Sequence, residues 1–379
     1  MYNIKLITRL HLELSSRCNA SCPVCCRNIS GGIVSPGLEL TDLSVIDIKR
    51  MIPDQIAKNI TYINYCGTVG DPCMAPDLLP ILQYFSKASP NIIQYVRTNG
   101  GMRNVDFWIE LGNFFSRSST NQNFGNVVFS VDGLEDTNHI YRRGVKWEKL
   151  IAHMRAYSST GAIATWEWLL FEHNQHQLVE AKALAKELNF KFVIKNPLGF
   201  TKTNDKVTGI PVYNKEGEFE YDIWPANYSN IKEGPLLGNK VNFDNLNTIN
   251  VIPIIDELSR NLEKNSNISC KSLPLNGSQE IYISANKYML PCCFMGGVFG
   301  QFGASYSRYQ LNKMINDYGL DVFSLHNQSV LDILQNSKFS KFFFDGWKAD
   351  TIENGKLLYC VETCGDKSAI DNIYNNLPK

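Results

Sequence analysis

Cys18, Cys22 and Cys25 lie in the stretch Leu12-Glu13-Leu14-Ser15-Ser16-Arg17-Cys18-Asn19-Ala20-Ser21-Cys22-Pro23-Val24-Cys25-Cys26. Their C-x3-C-x2-C spacing fits neither the paired C-x2-C units of a zinc knuckle nor the even, dispersed set of a disulfide framework. Three thiolates on one tight loop suit three irons of a cubane iron–sulfur cluster. Such clusters are normally held by four cysteines, so the fourth iron is left open to a non-protein ligand. An open iron is a place for chemistry, provided that the fold brings further groups to it.

The first half of the chain supplies elements that can do so. Strand-like runs rich in β-branched and aromatic residues occur at Leu10–Leu14, Thr61–Cys66, Ile92–Thr98, Asn126–Val131, Thr165–Phe171 and Lys191–Ile194. Stretches with helical periodicity lie between them, at Leu43–Ile56, Pro76–Ser89, Val105–Phe115, Trp147–Ser158 and Gln177–Leu188. Six strands interleaved with helices predict an α/β fold of parallel βα units, a partial TIM-like (β/α)6 barrel. Chemistry in such barrels gathers at the C-terminal ends of the strands. The cysteine loop follows the first strand, Gly67-Thr68-Val69-Gly70-Asp71-Pro72 the second, Thr98-Asn99-Gly100 the third and Ser130-Val131-Asp132-Gly133 the fourth. That shared placement says more than any one of the motifs.

With the cysteine loop, these motifs resemble the radical S-adenosylmethionine (SAM) superfamily. The resemblance implies a [4Fe-4S] cluster on Cys18, Cys22 and Cys25 whose open iron chelates SAM. One electron then cleaves SAM to a 5′-deoxyadenosyl radical, which abstracts hydrogen from a substrate. Val69-Gly70-Asp71-Pro72 is similar to the family's Gly-Gly-Glu-Pro motif at the SAM ammonium, with valine and aspartate as departures. Glycine permits close backbone approach there. Gly70, Asp71, Asn99, Ser130 and Arg142 are the implied SAM-binding residues, Arg142 because its planar fork suits a carboxylate; Arg143 is an equal alternative. Val24 stands where the family usually has an aromatic residue. In Glu172-His173-Asn174-Gln175-His176, Asn174 reads as a helix cap, and the two histidines lack a further ligand cluster.

The C-terminal region carries a second constellation. Cys270 precedes a hairpin-like run from Glu280 to Pro291-Cys292-Cys293, and Cys360 and Cys364 follow. This resembles the twitch module, the short form of the SPASM extension, with Asn286-Lys287 at the turn. The resemblance implies an auxiliary [4Fe-4S] cluster on Cys270, Cys292, Cys360 and Cys364. The spacing leaves Cys293 as an alternative to Cys292, and zinc as an alternative metal. Cys26, Cys66 and Cys73 read as ordinary buried thiols. The expected organisation is a barrel over 1–198, a linker or substrate-covering insertion over 199–265 and a twitch module over 266–379.

Composition bounds the rest. Lys+Arg and Asp+Glu balance at 37 each in 379 residues, so no bulk pull toward nucleic acid or an anionic membrane is expected. No apolar run approaches membrane-spanning length, Met1–Arg9 does not read as a signal peptide, and a cytoplasmic location follows. Eleven cysteines then read as metal ligands before disulfides. The expected activity is oxidation or cross-linking of a peptide or protein side chain, with electrons from a reductase, flavodoxin or ferredoxin. Alternatives are radical dehydrogenation or rearrangement of a sugar, nucleotide or other small molecule, and a non-catalytic iron–sulfur electron carrier.

Overall fold

The computed structural model describes residues 2–118, 125–203, 206–226, 232–233, 267–273, 277–299, 310, 312, 315–352 and 354–365. Strands β1 (Ile7–Leu12), β2 (Tyr62–Tyr65), β3 (Ile93–Thr98), β4 (Gly125–Ser130), β5 (Ala164–Leu169) and β6 (Phe190–Lys195) pair in parallel, each with the next. Helices α1 (Val45–Met51), α2 (Asp54–Ala57), α3 (Leu78–Ala88), α4 (Val105–Ser118), α5 (Asn138–Tyr141), α6 (Trp147–Ser158) and α7 (Leu178–Glu187) fill the connections. This is the α/β partial barrel that the pattern predicts. Period-two burial in β3 and β5 sends Val96, Trp166 and Trp168 into the core. The alternate face carries the polar Tyr95, Arg97 and Glu167.

Most boundaries shift by one to three residues from the sequence reading, and two elements differ most. The expected helix 43–56 is two helices, because Pro53 lacks a backbone N–H and restrains the residue before it. Strand β1 starts three residues early and ends at Leu12, although Glu13 still donates its N–H to Ile283 O at 2.9 Å. Helix α1 opens on a capping box between Ser44 and Asp47, a signal present in the sequence.

After β6 come β7 (Thr201–Thr203), β8 (Lys206–Thr208), β9 (Ile210–Tyr213), β10 (Phe219–Ile223) and β11 (Lys232–Glu233). The antiparallel β9–β10 pair lies against the cysteine loop, with Tyr213 N donating to Ser30 O at 3.0 Å. Of the expected linker 199–265, residues 204–205, 227–231 and 234–265 lie outside the described residues.

Strand β12 (Gln279–Ile283) pairs in parallel with the free edge of β1, and β13 (Met289–Leu290) returns antiparallel to it. One eight-stranded sheet results, in the order β13-β12-β1-β2-β3-β4-β5-β6. At the hairpin turn the left-handed residue is Lys287 (φ 62°) and not Asn286. Lys287 Nζ pairs with Asp47 at 2.7 Å, which ties the turn to α1. Helices α8 (Cys293–Phe299), α9 (Val330–Gln335), α10 (Ser337–Lys348) and α11 (Leu358–Cys364) follow. Phe339 and Phe343, four apart on α10, are fully buried and join the common core. No helix among the described residues is long and apolar enough to cross a membrane.

Candidate functional site

Cys18, Cys22 and Cys25 are free thiols on the loop after β1. Burial, reinforced by Asp71 and Cys22, pushes the Cys18 thiol up to about 12. Burial pushes Cys22 up to about 11, against the pull of the Arg142 guanidinium. Contact with Cys26, then burial, raises Cys25. The three sulfurs are thus close enough to oppose one another's ionisation. N–H donors also face them: Asn99 Nδ2 reaches Cys18 Sγ at 3.5 Å, and Arg142 Nη1 reaches Cys22 Sγ at 3.7 Å. Donors aimed at sulfur favour thiolates, the form that binds metal. Among the described residues no three His, Cys, Asp or Glu side chains converge on one ion; a cubane instead sets each thiolate on its own corner iron.

The loop after β2 is stitched to the cysteine loop. Asp71 N donates to Arg17 O at 2.8 Å, and the buried Arg27 guanidinium donates to Ser16 O and Val69 O. A Cβ on Gly70 would stand 1.6 Å from Ser15 O, so this position must be glycine for the two loops to meet. The Asp71 carboxylate is 4% exposed and accepts from Cys73 N, Thr98 Oγ1 and Asn99 N, at 2.8 to 2.9 Å. It therefore braces the Thr98-Asn99 turn, and it is not among the residues that line the cavity described below. Asn99, 5% exposed, donates to Asn19 Oδ1 at 2.9 Å and holds the cysteine loop from the β3 side.

Ser130 and Arg142 are brought together. With Val24, Asp132, Glu167 and Lys195 they line a cavity of about 330 Å³ at the strand ends. Arg142 Nε donates to Asp132 Oδ2 at 2.6 Å, and Asp132 Oδ1 accepts from Leu169 N at 2.6 Å. Arg143 is committed elsewhere, to Glu220 at 2.6 Å and Tyr221 Oη at 2.9 Å on β10, so the structure separates the two arginines. Asn174 does not cap through its side chain. It is fully buried, accepts from Phe171 N, and donates to Asp132 O and Leu169 O, bracing the ends of β4 and β5.

The sequence reading missed two features. Glu13, 3% exposed, accepts from Val69 N at 2.7 Å, Gly70 N at 3.2 Å and Tyr282 Oη at 2.7 Å. One carboxylate thus joins the β1 end, the β2 loop and β12, and its place as the lone acidic residue within the strand-like run Leu10–Leu14 was the available signal. The second is a charged row on the inner face: Arg97 Nη1 and Lys195 Nζ both contact Glu167 Oε1, at 2.7 and 2.6 Å. Arg97 and Glu167 occupy alternate, inward positions of strands, a period-two cue that turns on knowing which face is inner.

In the C-terminal region Cys270, Cys292, Cys360 and Cys364 line one small pocket, with Met295 and Trp347. Cys293 is not among the lining residues and interacts instead with Cys66 and Glu280. Burial pushes Cys360 up to about 12 and Cys270 up to about 11.

No family model matches the chain, and no curated protein matches it. Solved structures similar in fold include Streptococcus suis SuiB bound to S-adenosylmethionine (13% identity, TM-score 0.47, 78% of this chain and 62% of that one). Others are anSMEcpe with bound AdoMet (13%, 0.46, 90% and 81%) and BtrN in complex with AdoMet and 2-DOIA (13%, 0.41, 92% of each). The chain spans about 62% of the length of SuiB.

Proposed function

We propose that this chain is a radical SAM enzyme with two iron–sulfur clusters, one reactive and one auxiliary. The observation that carries the reading is the convergence of a three-cysteine loop with Ser130 and Arg142 on one cavity at the strand ends. The donor set fits a cluster: three soft thiols, N–H groups aimed at two of them, and a fourth cysteine of the loop, Cys26, whose thiol donates instead to Thr68 O at 3.1 Å. When bound there, the cluster supplies the electron that cleaves SAM reductively to a 5′-deoxyadenosyl radical. The chain holds and orients. Arg142 presents a guanidinium to the SAM carboxylate, Ser130 offers a hydroxyl beside it, and Val24 gives apolar cover. Asp71, Asn99 and Glu13 keep the loops in register. The four cysteines of the C-terminal pocket complete the ligand set of the auxiliary cluster.

The substrate class is a peptide or protein side chain, oxidised or cross-linked. The resemblance to twitch-type enzymes supports this, and a reductase, flavodoxin or ferredoxin supplies the electrons. The barrel, the segment after it and the twitch module would then divide near residues 198 and 265.

Anaerobically reconstituted protein should hold roughly eight irons, four per cubane. The Cys18→Ala/Cys22→Ala/Cys25→Ala variant should keep about half and lose SAM cleavage. With dithionite and SAM the parent should release 5′-deoxyadenosine and methionine. A substrate deuterated at the reacting carbon should pass its label to 5′-deoxyadenosine. Fully loaded, reduced protein that binds no SAM and forms no 5′-deoxyadenosine would instead be an iron–sulfur electron carrier.

A further inference from the structure

Helix α10 carries an aromatic stripe at four-residue spacing, Phe339, Phe343 and Trp347. The ring centroids of Phe339 and Phe343 are 5.2 Å apart, and those of Phe343 and Trp347 6.1 Å. The first two rings fill the core, whereas the third ends at the pocket lined by Cys270, Cys292, Cys360 and Cys364. Packing explains a large ring at position 347, and phenylalanine would supply one. It does not explain the indole nitrogen. Trp347 Nε1 is buried and has no hydrogen-bond partner among the described residues. An indole N–H is a donor with no acceptor capacity, and leaving one buried and unpaired costs about 1–3 kcal/mol. Buried tryptophans usually find a partner.

Trp347 lines the same pocket as the sulfur-bearing side chains of Cys270, Cys292, Met295, Cys360 and Cys364. Cys360 Sγ lies 3.9 Å from Met295 Sδ, so soft atoms gather on that side of the pocket. A cluster bound there would bring thiolate and sulfide acceptors to the donor that lacks one.

Resting on the two-cluster reading above, we propose that the Trp347 indole N–H donates a hydrogen bond to a sulfur of the auxiliary cluster and thereby raises its reduction potential. Reduction adds negative charge to the cluster, and a donor on its sulfur stabilises the more negative state more strongly. The sequence favours this use over plain packing, since α10 already places phenylalanine at 339, 342, 343 and 344. At position 347, the one that reaches the pocket, it has tryptophan.

The test uses the full-length Cys18→Ala/Cys22→Ala/Cys25→Ala chain, which leaves only the second cluster, with Trp347→Phe added. Iron content should be unchanged. At a fixed poise the ratio of reduced to oxidised cluster should fall about tenfold, equivalent to ~59 mV for one electron. Pulsed magnetic resonance of the reduced parent, grown with indole-¹⁵N tryptophan, should show a ¹⁵N coupling and an exchangeable proton coupling. Both should vanish in Trp347→Phe. Equal potentials and unchanged couplings with iron retained overturn the inference. If the variant loses its iron, the labelled parent decides alone: coupling supports the hydrogen bond, and its absence overturns it. A parent that carries zinc and no iron at this site sinks the two-cluster reading first, and iron analysis reports that outcome separately.

Discussion

Arg142 and Asp132 form a buried ion pair, 2.6 Å from Nε to Oδ2, beside the Cys22 thiol. Asp132 is fully buried, so removing its cation strands a charge. Arg142→Ala should therefore cost about 3–5 kcal/mol of stability. It should also weaken SAM binding ten- to a hundredfold, the equivalent of about 1.5–3 kcal/mol. Arg142→Lys should recover part of the stability but little affinity, because an ammonium lacks the fork that spans Asp132 and a ligand carboxylate. Urea titration and equilibrium SAM binding measure the two effects. Wild-type affinity in both variants would remove Arg142 from the site.

Asp71 offers a sharper contrast. Its carboxylate accepts from Cys73 N, Thr98 Oγ1 and Asn99 N, and an asparagine would turn an amide N–H₂ toward one of those donors. Asp71→Asn should lose about 1–3 kcal/mol of stability, and SAM affinity should fall as the Asn99 turn loosens. A direct contact with the SAM ammonium predicts the opposite pattern, lost affinity at full stability. Thermal unfolding and SAM titration on one sample distinguish the two.

Tyr282 Oη donates to Glu13 at 2.7 Å, and Thr68 Oγ1 donates to Tyr282 Oη at 3.1 Å. Tyr282→Phe and Glu13→Gln should each destabilise the chain by about 1–3 kcal/mol. Because the two groups meet, a double-mutant cycle should give a coupling of about 0.5–3 kcal/mol. Strict additivity would mean that the contact contributes nothing.

Burial lowers the imidazoles of His11 and His173 to about 4. Cys66 O can only accept, so the 2.6 Å contact places the His11 proton on Nε2 and keeps the ring a neutral donor. Unfolded histidine takes up a proton near pH 6.5 and these folded rings do not, so the unfolded state binds more protons between about pH 6.5 and 4. Stability should thus fall with pH across that window, by about 1.4 kcal/mol per unit for each ring. Urea midpoints from pH 7 to 4.5, at constant iron content, should trace the slope, and His11→Gln should flatten it. An unchanged slope in that variant would clear His11 of the effect.

Much of the frame was readable from residue types. Strand and helix alternation foretold the parallel βα units of the partial barrel, because each parallel strand needs a helical return and that return leaves a 3.6-residue signature. The three-cysteine loop was equally plain. Roles of single polar side chains were not. Asp71 reads as a ligand contact from its motif, and only the fold reveals that its carboxylate also braces the Thr98-Asn99 turn. Arg142 and Arg143 are equivalent in sequence, and only the placement of Glu220 and Tyr221 on β10 separates them. The choice of Cys292 over Cys293 depends on which side of α8 faces α11. That is a matter of helix phase after a two-residue strand, too short to fix a register in advance.

The parallel pairing of β12 with β1 has a consequence for synthesis. Tyr282 and Glu13 stand 269 residues apart, so the edge of β1 leaves the ribosome long before the strand that covers it. At ≈ 5–20 residues per second, the nascent barrel spends on the order of tens of seconds with that edge open. An uncovered strand edge is a template for pairing with other chains, so truncation between β6 and β12 should give insoluble product, and slow translation should reduce yield. The C-terminal hairpin thus also acts as a late seal on the sheet that the cysteine loop grows from.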